Sequence, residues 1–198
     1  MKPTSVSMAL VLAVAGGCVS PAEPPNEPLP IPFLVSDYFS PDGYFGDGEK
    51  SGFLDLVKSC PVRAPGGRGD CYTLTYRAGI KRYAGIYWQH PHNNWGLAAG
   101  HKVEAGATRI TFQARGQQGN EVLTVGGGQM DTMPRHDSFK LEEKTMGLGT
   151  SWTAQELPFR GVNYQGDDGV LGAFLIKLDA PADDSTTVLY LDDIEWAK

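Results

Sequence analysis

The chain has 198 residues, a length that suits a single folded domain with an additional segment. Its 25 glycines, 14 prolines and 10% aromatic content are typical of short strands joined by many turns. The formal net charge is −6, and removal of residues 1–17, whose only charged side chain is Lys2, changes it to −7. An acidic chain of this kind is not expected to bind nucleic acid.

The first residues have the pattern of an export signal. Lys2 precedes the apolar stretch Val6–Ala15, which suits the hydrophobic region of a signal peptide and is too short to span a bilayer. Two glycines then precede Cys18. This arrangement resembles the lipobox of bacterial lipoproteins and predicts a signal peptide over residues 1–17 with lipidation of Cys18 by palmitate-type acyl chains.

The lipobox resemblance also predicts where the protein is located. It implies an exported lipoprotein that is anchored in the bacterial cell envelope, at the outer membrane or the cell surface. The pattern departs from the usual lipobox at Ala15, where leucine is common, and at Gly16. The alternative is an ordinary secretory signal that is cleaved nearby and leaves Cys18 as a spare thiol.

A proline-rich segment follows the lipidated cysteine. Residues 19–32 contain six prolines, and such sequences form extended, semi-rigid spacers. We therefore predict a tether over residues 18–32, which lifts the folded domain off the membrane. The folded domain is expected to cover residues 33–198.

The two remaining cysteines, Cys60 and Cys71, bracket a loop-like segment rich in glycine and proline. Disulfides persist in exported proteins, so this pair is predicted to form a bridge that pins the loop. Two free thiols are the alternative. A metal site is less favoured because, once Cys18 carries lipid, the chain has no cysteine beyond this pair.

The rest of the chain is rich in strand signals. Runs of β-branched and aromatic residues are bounded by Gly, Pro, Asn or Asp, and no window has a helical apolar stripe. Seven or eight short strands over such a length indicate an all-β sandwich. The predicted strands are Cys71–Tyr76, Ala84–Gln89, Arg109–Ala114, Glu121–Val125, Thr153–Leu157, Val170–Leu178 and Thr187–Trp196.

Three segments resemble a known class of domain. They are GIYWQHPHNNWG (85–96), GATRITFQARGQQGNE (106–121) and VLYLDDIEW (188–196), and they resemble carbohydrate-binding modules of the galactose-binding-like jelly-roll type. The motifs DYFSPDGYFGDG, CPVRAPGGRGDCYT, YWQHPHNNWG and LDDIEW further resemble uncharacterised lipoproteins of gliding, predatory bacteria. The resemblance covers most of residues 33–198. It implies a galactose-binding-like jelly-roll β-sandwich with a glycan as partner.

The segment 87–96 is the richest in binding chemistry. Aromatic faces pack on sugar C–H patches, while amides and imidazoles hydrogen-bond to hydroxyl groups. In a strand, Ile86 and Trp88 share one face, and we expect that face to enter the core. The alternative is that both tryptophans are packing residues and Asn93-Asn94 is a turn. The predicted ligand-binding residues are Tyr87, Gln89, His92, Asn93, Asn94 and Trp95.

Two metal hypotheses arise from the polar residues. His90 and His92 suggest zinc, but Pro91 interrupts the strand and no third ligand is close in sequence. Calcium is better supported, because jelly-roll modules of the resembled type use groups of the first and last strands around a structural calcium ion. The alternative is that these Asp residues cap turns. The predicted calcium ligands are Asp37, Asp47 and Asp192, with either Asp192 or its neighbour Asp193 facing inward.

The sequence contains no recognisable catalytic motif such as G-x-S-x-G, H-E-x-x-H or a P-loop. The favoured function is therefore a membrane-anchored, non-catalytic lipoprotein that binds a polysaccharide or other glycan. The first alternative is a structural or protein-interaction lipoprotein of the envelope that binds no sugar. The second alternative is a glycan-cleaving enzyme, which would need two placed carboxylates.

Overall fold

The strand-forming segments pair into two antiparallel sheets. The computed structural model describes residues 27–128 and 133–198, so the predicted signal peptide, Cys18 and most of the predicted tether lie outside the described residues. One sheet has six strands, namely β1 (Phe33–Leu34), β3 (Leu54–Val57), β4 (Tyr72–Tyr76), β6 (Arg109–Gly116), β9 (Thr153–Pro158) and β11 (Thr187–Ala197). The other has five, namely β2 (Ser40–Gly46), β5 (Tyr83–Gln89), β7 (Val122–Gly126), β8 (Lys144–Gly147) and β10 (Gly172–Asp179).

The strand order places the last strand in the middle of the six-stranded sheet. That order is β3-β4-β11-β6-β9, and β1 pairs with β11 where β4 has ended. The order in the five-stranded sheet is β2-β5-β10-β7-β8. Two short helical pieces, α1 (Val35–Tyr38) and a 3₁₀ turn (Asp47–Glu49), flank β2.

Period-two alternation explains how the sheets bury their inner faces. In β6, Ile110, Phe112 and Ala114 are buried, and the residues between them are partly exposed. The inner faces of both sheets contribute to one hydrophobic core, in which Trp88 and Trp196 are fully buried. We call the opposite side of each sheet its outer face. No helix in the described part of the chain is long and apolar enough to cross a bilayer.

All seven predicted strands are confirmed, with ends shifted by up to two residues. The strands that the sequence did not predict are β1, β2, β3 and β8. Three of these, β2, β3 and β8, lie at sheet edges. Edge strands tolerate the proline and glycines of β2 (SPDGYFG) because one side of each is not needed for pairing.

The packed chain begins before residue 33, the predicted start of the domain. Leu29 and Ile31, which belong to the proline-rich segment, are buried in the hydrophobic core. Leu29 also exchanges backbone hydrogen bonds with Lys102 and Glu104. The end of the predicted tether is therefore part of the domain, because the side chains of Leu29 and Ile31 pack into its hydrophobic core.

The predicted disulfide is confirmed. Cys60 and Cys71 are bonded, with their Cα atoms 5.7 Å apart. The segment between them, which we call the disulfide loop, lies on the outer face of the six-stranded sheet. There Arg63 and Arg68 pair with Asp192 and Glu195 of β11.

Candidate functional site

Strand β5 presents different residues to the two sides of its sheet. Ala84, Ile86 and Trp88 are fully buried in the core, as expected for the last two. Tyr87 alternates with them and is half-buried on the outer face. Gly85 shares that face, and a Cβ atom there would be 2.0 Å from Cζ of Phe45. The ring of Phe45 therefore lies directly across the glycine.

Three aromatic rings follow one another on this outer face. The ring centroids of Phe45 and Tyr87 are 5.5 Å apart, and those of Tyr87 and Trp95 are 5.9 Å apart at an interplanar angle of 79°. All three side chains are partly exposed. We call Phe45, Tyr87 and Trp95 the aromatic row. It joins a ring from β2, one from β5 and one from the loop after β5.

Polar groups lie beside the aromatic row on the same face. Lys177 of β10 is cross-strand from Gly85, and Thr124 of β7 is cross-strand from Lys177. The ammonium of Lys177 is 5.6 Å from the ring centroid of Tyr83, and the hydroxyls of Thr124 and Thr145 share a hydrogen bond of 2.8 Å. The face thus combines ring surfaces with hydrogen-bonding groups.

Asn94 organises the loop that carries Trp95. Its carbonyl accepts hydrogen bonds from the backbone N–H groups of Leu97 and Ala98, at 3.0 and 3.1 Å. Its amide donates to the carbonyls of His90 and Ala98, at 2.8 and 2.9 Å. Asn94 is 3% exposed, so its predicted role as a ligand contact is wrong: the side chain's hydrogen-bonding groups are used within the loop.

His92 and Asn93 fasten the same loop to β2. His92 pairs through Nδ1 with the carboxylate of Asp42, and its own side chain is highly exposed. Asp42 occupies a bulge of β2 opposite β5. Burial raises the pKa of Asp42, while hydrogen bonds from Asn93 and His92 act in the opposite direction. Asn93 has a φ of 52°, a left-handed conformation that asparagine adopts more readily than most residues.

The sequence analysis had predicted Gln89 as a rim residue, but its side chain lies beneath the surface. It is 1% exposed and lies under the bulge of β2, where a Cβ atom on Gly43 would be 2.5 Å from its side-chain amide. Of the six predicted binding residues, Tyr87 and Trp95 therefore belong to the aromatic row, together with Phe45, which was not predicted. His92 and Asn93 border it, whereas Gln89 and Asn94 lie beneath the surface.

The surroundings of Tyr87 strengthen the ordinary preference of its phenol for the protonated form. Burial raises its pKa well above the ordinary value of 10, and the negative charges of Asp137 and Glu143 raise it further. The phenol O–H is therefore available as a hydrogen-bond donor throughout the physiological pH range.

A pair of stacked histidines lies behind the loop. The rings of His90 and His101 are stacked with centroids 3.4 Å apart, and Phe39 packs edge-on against both. Sequence analysis did not predict this pair, because His101 reaches His90 only through the tertiary bridge between His101 and Val170. His90 is thus stacked on His101, while His92 pairs with Asp42.

The predicted calcium ligands do not form a shared site. Asp47 is buried and accepts hydrogen bonds from the Tyr76 hydroxyl at 3.0 Å and from three backbone N–H groups in residues 79–82. Asp37 is exposed on α1. No group of three His, Cys, Asp or Glu side chains that could hold a metal ion occurs in residues 27–128 and 133–198. Calcium binding as such stays a prediction.

Asp192 is the buried member of the Asp192-Asp193 pair, and it is fully buried beneath the disulfide loop rather than in the core between the sheets. Arg63 of the disulfide loop donates to its carboxylate through Nε at 3.1 Å and through Nη2. The backbone N–H groups of Ala64 and Asp193 add hydrogen bonds of 3.0 Å each. At a bulge in β11, Asp193 has a positive φ of 54°, and its carboxylate accepts a hydrogen bond from the backbone N–H of Arg68 in the same loop. The guanidinium of Arg63 thus lies beside the carboxylate for which the sequence analysis had expected a calcium ion.

A groove of about 610 Å³ opens between β8 and β9. Its described lining carries charges of both signs and contains no aromatic ring, so its chemistry favours no particular ligand. The charged lining residues are Lys140, Glu142, Glu143, Lys144, Glu156 and Arg160.

Comparisons with known proteins define the class of fold. No family model matches the chain, and no curated protein matches it. It is similar to a solved family 30 carbohydrate-binding module, with a TM-score of 0.52 and 13% identity, over 83% of this chain and 97% of that one. It is also similar to the family 30 module of a cellulosomal cellulase of Clostridium thermocellum, with a TM-score of 0.51 and 13% identity, over 83% and 96% of the two chains. The domain is therefore a jelly-roll β-sandwich of the carbohydrate-binding-module type, as the sequence resemblance implied.

Proposed function

We propose that this chain is a non-catalytic module that binds a glycan along the aromatic row. The observation that carries the proposal is the contact of Phe45, Tyr87 and Trp95 on one outer face of the sandwich. Pyranose rings present C–H patches that pack against aromatic rings. The Tyr87 phenol and the ammonium of Lys177 supply hydrogen bonds to sugar hydroxyls.

The surroundings of the row favour binding over cleavage. Glycoside hydrolysis needs two carboxylic groups placed on either side of the scissile bond. Asp42 is paired with His92. Asp137 accepts hydrogen bonds from the backbone N–H groups of Leu171 and Gly172, at 2.7 and 3.2 Å. Asp42 and Asp137 thus have structural partners, which supports a binder.

The proposal includes an anchor in the cell envelope. Support comes from the apolar stretch and the small residues before Cys18, together with the proline-rich segment that follows. Wild-type protein should incorporate an alkyne-labelled fatty acid in cells, and Cys18→Ala should not. Equal labelling of the two would contradict the anchor while leaving glycan binding untouched.

Binding is tested by affinity electrophoresis in gels that contain neutral plant or cell-wall polysaccharides. Trp95→Ala should weaken retention about 30-fold, the loss expected for an aromatic hot spot worth about 2 kcal/mol. The melting temperature should change little, because Trp95 is partly exposed and outside the core. Leu97→Ala is the matched control, since Leu97 is 78% exposed in the same loop.

Three outcomes would overturn parts of this proposal. Equal retention of Trp95→Ala and wild type would remove the aromatic row from binding. Lack of retention in every polysaccharide would favour a structural or protein-interaction role. Release of reducing ends during a turnover assay on the same polymers would favour the enzyme alternative.

A further inference from the structure

The outer face of the six-stranded sheet carries a second group of aromatic and polar side chains, on the opposite side of the sandwich from the aromatic row. An open groove of about 620 Å³ has Gln113 and Arg115 of β6 in its lining. Val62 and Pro65 of the disulfide loop and Trp152 before β9 also contribute to the lining. We call this the Arg115 groove.

Arg115 lies against two aromatic rings that also contact each other. Its guanidinium carbon is 4.2 Å from the ring centroid of Tyr190, its cross-strand neighbour on β11, and 5.3 Å from that of Trp152. Arginine stacks on aromatic faces in this way without losing its charge. The rings therefore fix the orientation of the guanidinium in the groove.

The donors of this cluster lack protein acceptors. Among the described residues, neither Nε of Arg115 nor Nε1 of Trp152 has a hydrogen-bond partner, although both atoms are buried. Arg115 also forms no ion pair with a described carboxylate. Its neighbours on this face differ, because Arg63 is paired with Asp192 and Arg68 with Glu195. An oriented cation and unmatched N–H groups favour a ligand that is anionic and rich in acceptors.

We propose that the Arg115 groove binds a carboxylate-bearing sugar unit of an acidic polysaccharide. The carboxylate pairs with the guanidinium of Arg115, and the pyranose ring packs against the indole of Trp152. An acidic peptide fits less well, because β6 is already paired on both sides, with β9 and β11. An added peptide strand would therefore find no free backbone edge in the groove.

The test compares polygalacturonate with its methyl ester, which has the same backbone without the charge. In affinity electrophoresis, wild-type protein should be retained more strongly by the acid than by the ester, and retention should weaken as salt is added. Arg115→Gln should weaken retention by the acid about tenfold or more, because a charge-assisted pair is lost. Trp152→Phe should weaken it less, since a six-membered aromatic ring remains and the five-membered ring with its N–H is lost.

The matched control is Arg109→Gln, which removes the same charge from the same strand. Arg109 is also on the outer face, about 20 Å away at strand spacing, and this variant should be retained like wild type. Melting curves of all variants identify any that fail to fold, and Arg115→Lys, which keeps the charge but loses the flat stack, then serves as the second variant. It should show an intermediate loss.

Equal retention by acid and ester would overturn the proposal, as would an equal loss in Arg109→Gln and Arg115→Gln. Lack of retention by the acid would also overturn it. If Trp95→Ala abolishes retention by the acid while Arg115→Gln does not, the acidic chain binds at the aromatic row instead. Loss of neutral-glycan binding in Trp95→Ala is scored separately, so failure of the two sites can be distinguished.

Discussion

Mild acid should destabilise this domain through the stacked histidines. Burial lowers the pKa of His101 from 6.5 to about 4, and the neighbouring His90 contributes to the shift, while a hydrogen bond with the Tyr38 backbone acts in the opposite direction. Burial also lowers the pKa of His90. A proton on either ring would bring a positive charge into an aromatic cluster, beside a ring 3.4 Å away.

The sign and size of the effect follow from proton linkage. The folded state binds the proton of His101 less well than the unfolded chain does, so the stability is complete above pH 6.5 and is lost as the pH falls towards 4. At about pH 5 the loss from His101 alone is about 2 kcal/mol. That is a substantial part of a domain stability of about 5–15 kcal/mol.

Urea denaturation at about pH 7.5 and about pH 5 measures this loss. His101→Phe keeps a flat ring against His90 but cannot be protonated, so its stability should fall much less between the two pH values. His136→Gln is the control, since His136 is exposed, and it should behave like wild type. An equal fall in wild type and His101→Phe would refute the reasoning.

Three other perturbations test individual contacts. Gly85→Ala should cost about 1–3 kcal/mol in chemical denaturation, because its Cβ would meet Phe45 and be 2.4 Å from the backbone oxygen of Ile176; a neutral result would mean that the strands shift freely. Reduction of the Cys60–Cys71 bridge should lower stability by about 3 kcal/mol, and an unchanged melting curve in reductant would contradict this. Burial alone would raise the pKa of Asp47, but its hydrogen bonds lower it below 3.8, so wild type should lose stability below about pH 4. Asp47→Asn should be less stable at neutral pH and less sensitive to acid, and an unchanged acid profile would rule out this role.

The fold was largely predictable because its inner strands carry strong local signals. Strand β6 alternates buried and outward residues over its whole length, and β10 is apolar almost throughout. The edge strands are different. Strand β2 contains Pro41 and two glycines and derives its extended conformation from pairing with β5. Strand β8 has only four residues. Strands that depend on such tertiary contacts have no regular alternation of apolar and polar residues in their sequence.

The candidate site was predicted in part. Tyr87 and Trp95 stand out in a segment dense with aromatic and amide side chains. Phe45 does not, because its place beside Tyr87 depends on the register of β2 against β5. Gln89 and Asn94 had the right chemistry for a ligand, but the bulge of β2 and the turn geometry bury them. Burial of a polar side chain by a loop cannot be predicted from residue type.

The Arg115 groove, too, could not be predicted from the sequence. Arg115, Trp152 and Tyr190 are far apart in the chain and meet because β6 pairs with β11 and the segment before β9 folds over both. The sequence had predicted a calcium ion beside Asp192, whereas the structure shows this carboxylate paired with Arg63 of the disulfide loop. A carboxylate that needs neutralising can be predicted from sequence, whereas its partner 129 positions away cannot.

The Cys60–Cys71 bond also supports a buried ion pair. Arg63 and Ala64 satisfy the buried carboxylate of Asp192 only while the loop lies over the sheet. A chain that has not yet met an oxidising environment has no bond between Cys60 and Cys71 to hold the loop there. The Cys60–Cys71 bond therefore stabilises more than its own loop, because it also keeps two hydrogen-bond donors on a carboxylate in the middle of the six-stranded sheet.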